Sequence, residues 1–208
     1  MEDLFNILLI LFIVGLTLFG LGWLFLKISH WESPQRVAGK RGESHARFVI
    51  QSIMREDDIL ISNVSLEEEG KPAEFDNIIV NDKGVFIIEV KNYVGHLDGE
   101  EDNFEWVKYK ISATGNTYQK LVKNPISQVK RQIYILSKFL KNNNVNVWIN
   151  GYVYLVHKNC PIESSYVLAS DKDIDEAIHG KKEKVFSDRE KKKVVELLEG
   201  LSTGNNRG

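Results

Sequence analysis

The chain has 208 residues, enough for one domain of ordinary size and a membrane anchor. Its 27 Lys and Arg residues and 29 Asp and Glu residues give a formal charge of -2, which excludes a strongly basic protein that coats nucleic acid but permits a local basic track. The single cysteine, Cys160, excludes an intramolecular disulfide, and no cluster of Cys and His indicates a zinc site.

The first predicted element is an apolar helix. Residues 4–26 carry no charged side chain, and this run of 23 residues is long enough to cross a bilayer with some tilt. A cleaved signal peptide is the alternative, but it would begin with positive charge and end at a small-residue cleavage site. This chain begins with Glu2 and Asp3 and has no such site. The sequence therefore predicts an uncleaved transmembrane helix within an anchor of residues 1–28.

The charges around this helix predict its orientation. Only acidic residues precede it, and four basic residues follow: Lys27, Arg36, Lys40 and Arg41. Because Lys and Arg are enriched on the cytoplasmic side, we expect a single-pass membrane protein with its N-terminus outside. Residues 4–28 would contact the lipid bilayer, and the domain that follows would be cytoplasmic.

A linker, a helix and a strand come next. Residues 29–38 are predicted to form a short linker interrupted at Ser33-Pro34. From Gly39, apolar residues at helical spacing predict a helix whose core side carries Ala46, Val49, Ile50, Ile53 and Met54. Ile59-Leu60-Ile61 begins a strand towards Val64, and a polar turn is expected at residues 67–72.

Two further strands form a predicted hairpin. The runs Phe75–Val80 and Val85–Lys91 are separated by Asp82-Lys83-Gly84, which is typical of a tight turn. Side chains alternate in direction along a strand, so Glu89 and Lys91 share one face. In the hairpin, Asp76 then lies within about two residues of the position directly opposite Glu89 and Lys91.

This arrangement predicts a metal site. The carboxylates of Asp76 and Glu89, with the backbone carbonyl of Val90, offer only oxygen ligands, which suit Mg²⁺ or Mn²⁺. Lys91 would then lie beside the attacking water or offset charge in the transition state. Simpler interpretations remain open, since Glu89 and Lys91 can satisfy each other in a salt bridge and an acid that begins a strand can face solvent.

The remaining elements alternate between strands and helices. Residues 106–110 alternate like a half-exposed fourth strand, and residues 148–156 predict a central strand. Amphipathic helices are predicted at 125–140 and 188–201, and a shorter helix capped by Asp171 or Asp173 carries Ile174, Ala177 and Ile178. Residues 167–170 suggest a short edge strand, and residues 203–208 a polar tail.

The ordered series of motifs resembles the nuclease-related domain (NERD), a branch of the PD-(D/E)xK phosphodiesterase superfamily, over roughly residues 39–156. The motifs are Gly42-Glu43, residues 75–80, residues 84–92, Gly95, Trp106 and residues 124–128. The resemblance implies a nuclease-like fold and a metal-dependent nuclease activity. It also implies that Glu43 faces the metal site and that Gln128 positions substrate or water, although a helix N-terminus by itself favours an acid such as Glu43.

Substrate contacts are predicted beyond the hairpin. Asn92 follows the Glu89-Val90-Lys91 stretch, and a locally basic region supplies the other candidates: Lys108, Lys110, Lys130 and Arg131. Lysines interleaved with aromatic residues can bind a phosphate backbone and stack bases, whereas a charged segment can also be an ordinary solvated face.

The predicted protein is an α/β domain with a mixed sheet flanked by helices, a restriction-endonuclease-like core, preceded by one transmembrane helix. Its predicted parts are an anchor at 1–28, a linker at 29–38, a nuclease-like domain at 39–160 and a C-terminal helical extension at 161–208. The expected function is hydrolysis of phosphodiester bonds in DNA, with RNA as a further substrate, in the presence of Mg²⁺ or Mn²⁺. The alternative is a catalytically inactive module that binds nucleic acid or a protein partner at the membrane.

Overall fold

The apolar run that ends in Glu89 forms the central strand of a mixed sheet. The computed structural model describes residue 6 and residues 12–23, 33–112, 114–157, 162–180 and 186–202. The strands of its five-stranded sheet are β1 (Ile59–Glu68), β2 (Lys71–Asn81), β3 (Gly84–Lys91), β7 (Ile149–Leu155) and β8 (Val167–Leu168). Their order in the sheet is β1-β2-β3-β7-β8, with β1–β2 and β2–β3 antiparallel and β3–β7 and β7–β8 parallel.

Helices cover both faces of this sheet, which explains why β3 has no polar face. The covering helices are α2 (Pro34–Ile53), α3 (Pro125–Asn142), α4 (Asp171–His179) and α5 (Asp188–Glu199). Residues 12–23 are also helical and are called α1. Apolar residues of α3 and α5 pack with Ile87 and its neighbours on one face, and those of α2 and α4 pack with Phe86 and Ile88 on the other. The predicted mixed sheet flanked by helices is therefore confirmed.

The predicted β2–β3 hairpin is confirmed with a two-residue turn. Asn81 pairs with Gly84, and the Asn81 side chain accepts a hydrogen bond from the Lys83 N–H at 2.9 Å. The φ of Gly84 is +132°, a conformation that residues with a side chain rarely adopt. The turn fixes the register of the hairpin and hence the placement of its acidic residues.

The predicted fourth strand belongs to a separate sheet. Strands β4 (His96–Asp98), β5 (Glu105–Ile111) and β6 (Thr117–Lys123) form a three-stranded antiparallel sheet in the order β4-β5-β6. Trp106 at the start of β5 is fully buried, and its Nε1 donates to the Glu100 carbonyl at 3.0 Å. One end of the small sheet is thereby attached to a core that also contains Leu97 and residues of α3 and β7.

Polar side chains cap the starts of α2, α3, α4 and α5, and the starts of α2 and α4 differ from the sequence prediction. Helix α2 starts at Pro34, within the predicted linker, because proline suits the first helical turn and the Ser33 hydroxyl accepts from the Arg36 N–H. Helix α4 is capped by Ser170, whose side chain accepts from the Asp173 N–H, and not by Asp171 or Asp173. Asn124 caps α3 and also donates to the carbonyls of Glu101 and Asn103.

A buried histidine ties α4 to the start of the sheet. His179 Nε2 lies 2.7 Å from Asp58 Oδ2, and His179 Nδ1 lies 2.6 Å from Asp175 Oδ1. The side chains of His179 and Asp58 are only 4% and 3% exposed. This contact joins the C-terminal part of the chain to the loop between α2 and β1.

The predicted transmembrane helix is contradicted. Among the residues that the structure describes, no helix has both the length and the apolar character needed to cross a membrane. The described part of the predicted anchor consists of residue 6 and residues 12–23. The single-pass topology, the cytoplasmic placement and the bilayer contact of residues 4–28 are corrected with it. Residues 1–5, 7–11 and 24–28 lie outside the described residues.

The chain divides into two compact units, Met1–Ala38 and Gly39–Gly208. The second unit contains both sheets and the helices packed against them. The predicted polar tail at 203–208 and Cys160 lie outside the described residues.

Close packing of α3 on β7 leads to a stability prediction. A Cβ atom at Gly151 would lie 2.5 Å from Val129 Cγ1 and 2.9 Å from Ile133 Cδ1. We expect Gly151→Ala to lower the free energy of unfolding by roughly 1–3 kcal/mol, because a well-packed core has no room for a further methyl group. Gly200→Ala is the matched control, since its Cβ would meet nothing closer than 3.8 Å. Chemical denaturation of both variants tests the prediction, and equal effects would contradict it.

Candidate active site

The candidate site forms where the regular pairing of β2 and β3 ends. The last pair is Asn77 with Ile88, and the next positions along the two strands are Asp76 and Glu89. On the other side of β2, Asn63 interrupts the pairing with β1 opposite Asp76 and has a φ of +54°. Asp76 therefore lies at an interruption of both ladders, and its Oδ2 accepts a hydrogen bond from the backbone N–H of Val90 at 2.8 Å.

Glu89 is a buried carboxylate with three side-chain donors. Its exposed fraction is 3%. Oε1 accepts from Lys91 Nζ at 2.6 Å and from Gln128 Nε2 at 2.7 Å, and Oε2 accepts from Gln132 Nε2 at 2.7 Å. These contacts replace the water that the carboxylate loses on burial, and they fix its orientation.

Asp76 is half-buried and has a strongly raised pKa. Burial is the main cause, the nearby Glu89 carboxylate is the second, and the pKa rises from 3.8 to about 7. The Val90 hydrogen bond and the Lys91 ammonium oppose this rise, and Glu43 adds a further repulsion. Two neighbouring acids, Glu89 and Glu43, thus both disfavour the ionised form of Asp76.

Lys91 supplies the positive charge of the site. Burial by itself lowers the pKa of Lys91, but the Glu89 carboxylate outweighs that effect and the pKa is raised. Lys91 therefore stays protonated although its side chain is only 21% exposed. The salt bridge that the sequence left open as the simpler interpretation is present, at the same place as the paired carboxylates.

A glycine lets the middle of α2 approach the end of β3. A Cβ atom at Gly42 would lie 2.6 Å from the Cβ of Asn92, so only glycine permits this contact. Glu43 follows immediately on the same helix and is half-buried. The close approach explains why Glu43 is near enough to influence Asp76.

The predicted substrate-binding residues fall into two groups. Asn92 lies directly after β3, and the ammonium of Lys108 lies 5.3 Å from the centre of the Tyr93 ring, with Lys110 on the same strand. The other two are engaged elsewhere. Lys130 pairs with Glu101 and Asp102, and Arg131 donates to the Pro72 carbonyl at 2.7 Å. The structure thus places Asn92 at the end of β3 and Lys108 beside Tyr93, with Lys110 two residues further along β5.

Gln132 is a residue of the site that was missed from the sequence. Gln132 is 2% exposed, and its Nε2 donates both to Glu89 and to the Glu74 carbonyl at 2.7 Å. Its spacing of four residues from Gln128 places both amides on one side of α3, a signal that was available. Tyr93, the residue after Asn92, also belongs to the site: burial raises its pKa, Lys91 lowers it and Glu89 raises it.

The donors of the site fit a hard divalent cation. Asp76, Glu89 and the Val90 carbonyl offer oxygen alone, and Mg²⁺ commonly binds one or two carboxylates together with water and substrate phosphates. Within the described ranges, no group of three or more His, Cys, Asp or Glu residues is arranged as a metal site. The protein would therefore supply an incomplete shell.

The raised pKa of Asp76 predicts pH-dependent stability. Because the pKa of Asp76 is higher in the folded chain than in the unfolded chain, this group stabilises the fold fully below about pH 3.8. That stabilisation is lost as the pH rises through about 7. Asn resembles the neutral acid and keeps the oxygen that accepts from Val90. We expect Asp76→Asn to raise the Tm of the metal-free chain at about pH 8, where the parent acid is ionised, and to change it much less at about pH 5.

Glu74→Gln is the control for this experiment, because it removes an exposed charge from the same strand. Thermal unfolding in a chelator gives the measurement. A Tm difference for Asp76→Asn that is the same at both pH values would contradict the prediction.

Comparison with known proteins agrees with this geometry. Residues 38–156, more than half of the chain, match the family model described as the nuclease-related domain, NERD. An uncharacterized protein of Bacillus anthracis is 30% identical over 71 residues, which is 34% of this chain and 34% of that protein, so the match spans about a third of that relative's length. No solved structure gives a significant match. On the extent of the family match, this chain belongs to the nuclease-related domain family.

Proposed function

We propose that this chain is a divalent-metal-dependent nuclease that hydrolyses phosphodiester bonds, in DNA more than in RNA. The observation that carries the proposal is the concentration of charge at the end of β3. Asp76 and Glu89 are close enough for Glu89 to raise the pKa of Asp76, and the Lys91 ammonium lies 2.6 Å from Glu89. Two acids and a lysine in this relation suit phosphodiester hydrolysis.

The metal ligands in this proposal are the carboxylates of Asp76 and Glu89 and the carbonyl of Val90. Bringing two carboxylates together in a half-buried site is unfavourable, and a cation between them would remove that repulsion. When bound, Mg²⁺ or Mn²⁺ would supply charge neutralisation at the scissile phosphate and a lower pKa for the attacking water. The protein's own side chains hold these ligands in place.

Each side chain around Glu89 has a distinct role in the proposal. Gln132 fixes the carboxylate from the buried side through Oε2, while Gln128 and Lys91 contact Oε1. Gln128 is exposed and can also contact a substrate phosphate or the attacking water. The Lys91 ammonium would offset negative charge that develops on the phosphate in the transition state. Glu43 adds a third acid at the side of α2.

A second candidate function is a module that binds nucleic acid without cleaving it. The observation in its favour is that three donors already satisfy both oxygens of Glu89. A carboxylate offers about four acceptor positions, so metal binding would compete with or rearrange these contacts. Cleavage assays on the full-length chain separate the two candidates.

Lys91→Met provides the sharpest test of catalysis. Methionine keeps most of the apolar stem and removes the charge, so the two acids can still bind Mn²⁺. We expect cleavage to fall roughly 10²–10³-fold, the loss typical when one electrostatic contributor is removed. Glu89→Gln should lose both Mn²⁺ binding and cleavage. Lys83→Met, at the other end of the same hairpin, is the matched control and should cleave like the parent.

Purified variants are compared on plasmid DNA, single-stranded DNA and RNA, with Mg²⁺ or Mn²⁺, and Mn²⁺ binding is measured by calorimetry. Equal cleavage by the parent, Lys91→Met and Glu89→Gln would assign the activity to a contaminant or to another site. A parent that binds nucleic acid but cleaves none of the three substrates would establish the second candidate.

A further inference from the structure

The small sheet presents a face rich in lysine. Directly paired residues of an antiparallel sheet project from the same face. In the β5–β6 pair, Trp106 lies opposite Val122, Lys108 opposite Lys120, and Lys110 opposite Tyr118. Trp106 is buried in the core, whereas Lys110, Lys120 and Tyr118 are exposed. We call Lys108, Lys110, Lys120 and Tyr118 the lysine face.

The lysine face has no acidic residue to balance it. Like charges directly opposite each other, such as Lys108 and Lys120, destabilise a sheet. Burial lowers the pKa of Lys108, and Lys110 and Lys120 lower it further. Across the described ranges, these three lysines have no carboxylate partner, in contrast to Lys130, which pairs with Glu101 and Asp102. An uncompensated cluster of this kind suits an anionic ligand.

Tyr93 connects the lysine face to the candidate active site. The Lys108 ammonium lies 5.3 Å from the centre of the Tyr93 ring. The same tyrosine lies within the electrostatic reach of Lys91 and Glu89. A polyanion on the lysine face would therefore pass Tyr93 before it reaches the acids at the end of β3.

We propose that the lysine face, together with Tyr93, binds single-stranded nucleic acid and directs it towards Asp76 and Glu89. The lysines would contact backbone phosphates, and the exposed ring of Tyr118 would stack on a base. Bases of an intact duplex stack on one another and are not available for such a contact. This inference rests on the proposed function, because it names the strandedness of the nucleic acid that the same site would act on.

The composition of the face favours nucleic acid over a lipid surface. Two of the large exposed apolar side chains of the small sheet, Ile111 and Leu121, are paired with Thr117 and Val107 and so belong to the opposite face. The lysine face thus offers charge and an aromatic ring without an apolar anchor of its own. The formal charge of -2 for the whole chain further limits unspecific binding to duplex DNA.

Binding of labelled oligo-dT to the full-length chain, measured in a chelator so that no cleavage occurs, tests the inference. Replacing Lys108, Lys110 and Lys120 together by Gln should weaken binding at least tenfold, as a rough expectation, and lower the slope of log K against log salt by about two. The matched control replaces three exposed lysines of the helices by Gln, namely Lys141, Lys172 and Lys192. It has the same net charge as the test variant and should bind like the parent.

Tyr118 separates stacking from charge. Tyr118→Ser should weaken oligo-dT binding about tenfold, and Tyr118→Phe, which keeps the ring, should retain it. Parent-like binding by the triple lysine variant, or an equal loss in the control, would overturn the proposal. So would tighter binding of duplex DNA than of oligo-dT, or displacement of oligo-dT by phosphatidylserine vesicles.

Cleavage measurements distinguish failure of this inference from failure of the proposed function. A parent that binds oligo-dT through the lysine face but never cleaves it supports the binding surface and rejects the nuclease. A triple lysine variant that cleaves single strands with the parent's KM supports the nuclease and rejects this surface.

Discussion

A carboxylate that leaves water for a protein interior must be given partners, because an unpaired buried charge raises the free energy of the folded state by several kcal/mol. Glu89 lies near the end of a strand that is covered on both faces. Its partners come from β3 itself and from α3, and Gln132 also contacts the Glu74 carbonyl of β2. The charge therefore determines where α3 lies on the β2–β3 hairpin, and the packing of the domain and the shape of the candidate site depend on each other.

The two acids of the site have opposite environments. Glu89 has a donor for each oxygen, whereas Asp76 accepts one backbone hydrogen bond and is repelled by Glu89 and Glu43. Burial and repulsion bring the pKa of Asp76 to about 7, so at neutral pH this acid is only partly ionised. In the proposed metal site, Glu89 would be a ligand of fixed orientation and Asp76 a ligand that loses its proton when the cation binds. The positive charge of Lys91 partly offsets the repulsion of Asp76 by Glu89 and Glu43.

The sequence correctly predicted the features that depend on residues close together in the chain. Apolar runs separated by Asp82-Lys83-Gly84 predicted the hairpin, and the alternation of side chains placed Glu89 and Lys91 on one face. The small sheet was missed because β6 is exposed along most of its length and lacks the alternation that marks a half-buried strand. The anchor prediction rested on the length of an uncharged run and on the charges that flank it, and no helix of the described residues bears it out. The spacing of Gln128 and Gln132 places both amides on one side of α3, but the contacts of Gln132 with β2 and β3 form only in the tertiary structure.

The family match ends at residue 156, but the packing of the core continues beyond it. Ile174 and Ile178 of α4 cover one face of the sheet, and Val194 and Leu198 of α5 cover the other. His179 joins this part of the chain to Asp58, which lies between α2 and β1. A fragment cut at the family boundary would leave apolar area on both faces in contact with water and prone to self-association. The region matched by the family model is consequently shorter than the region that packs into one core.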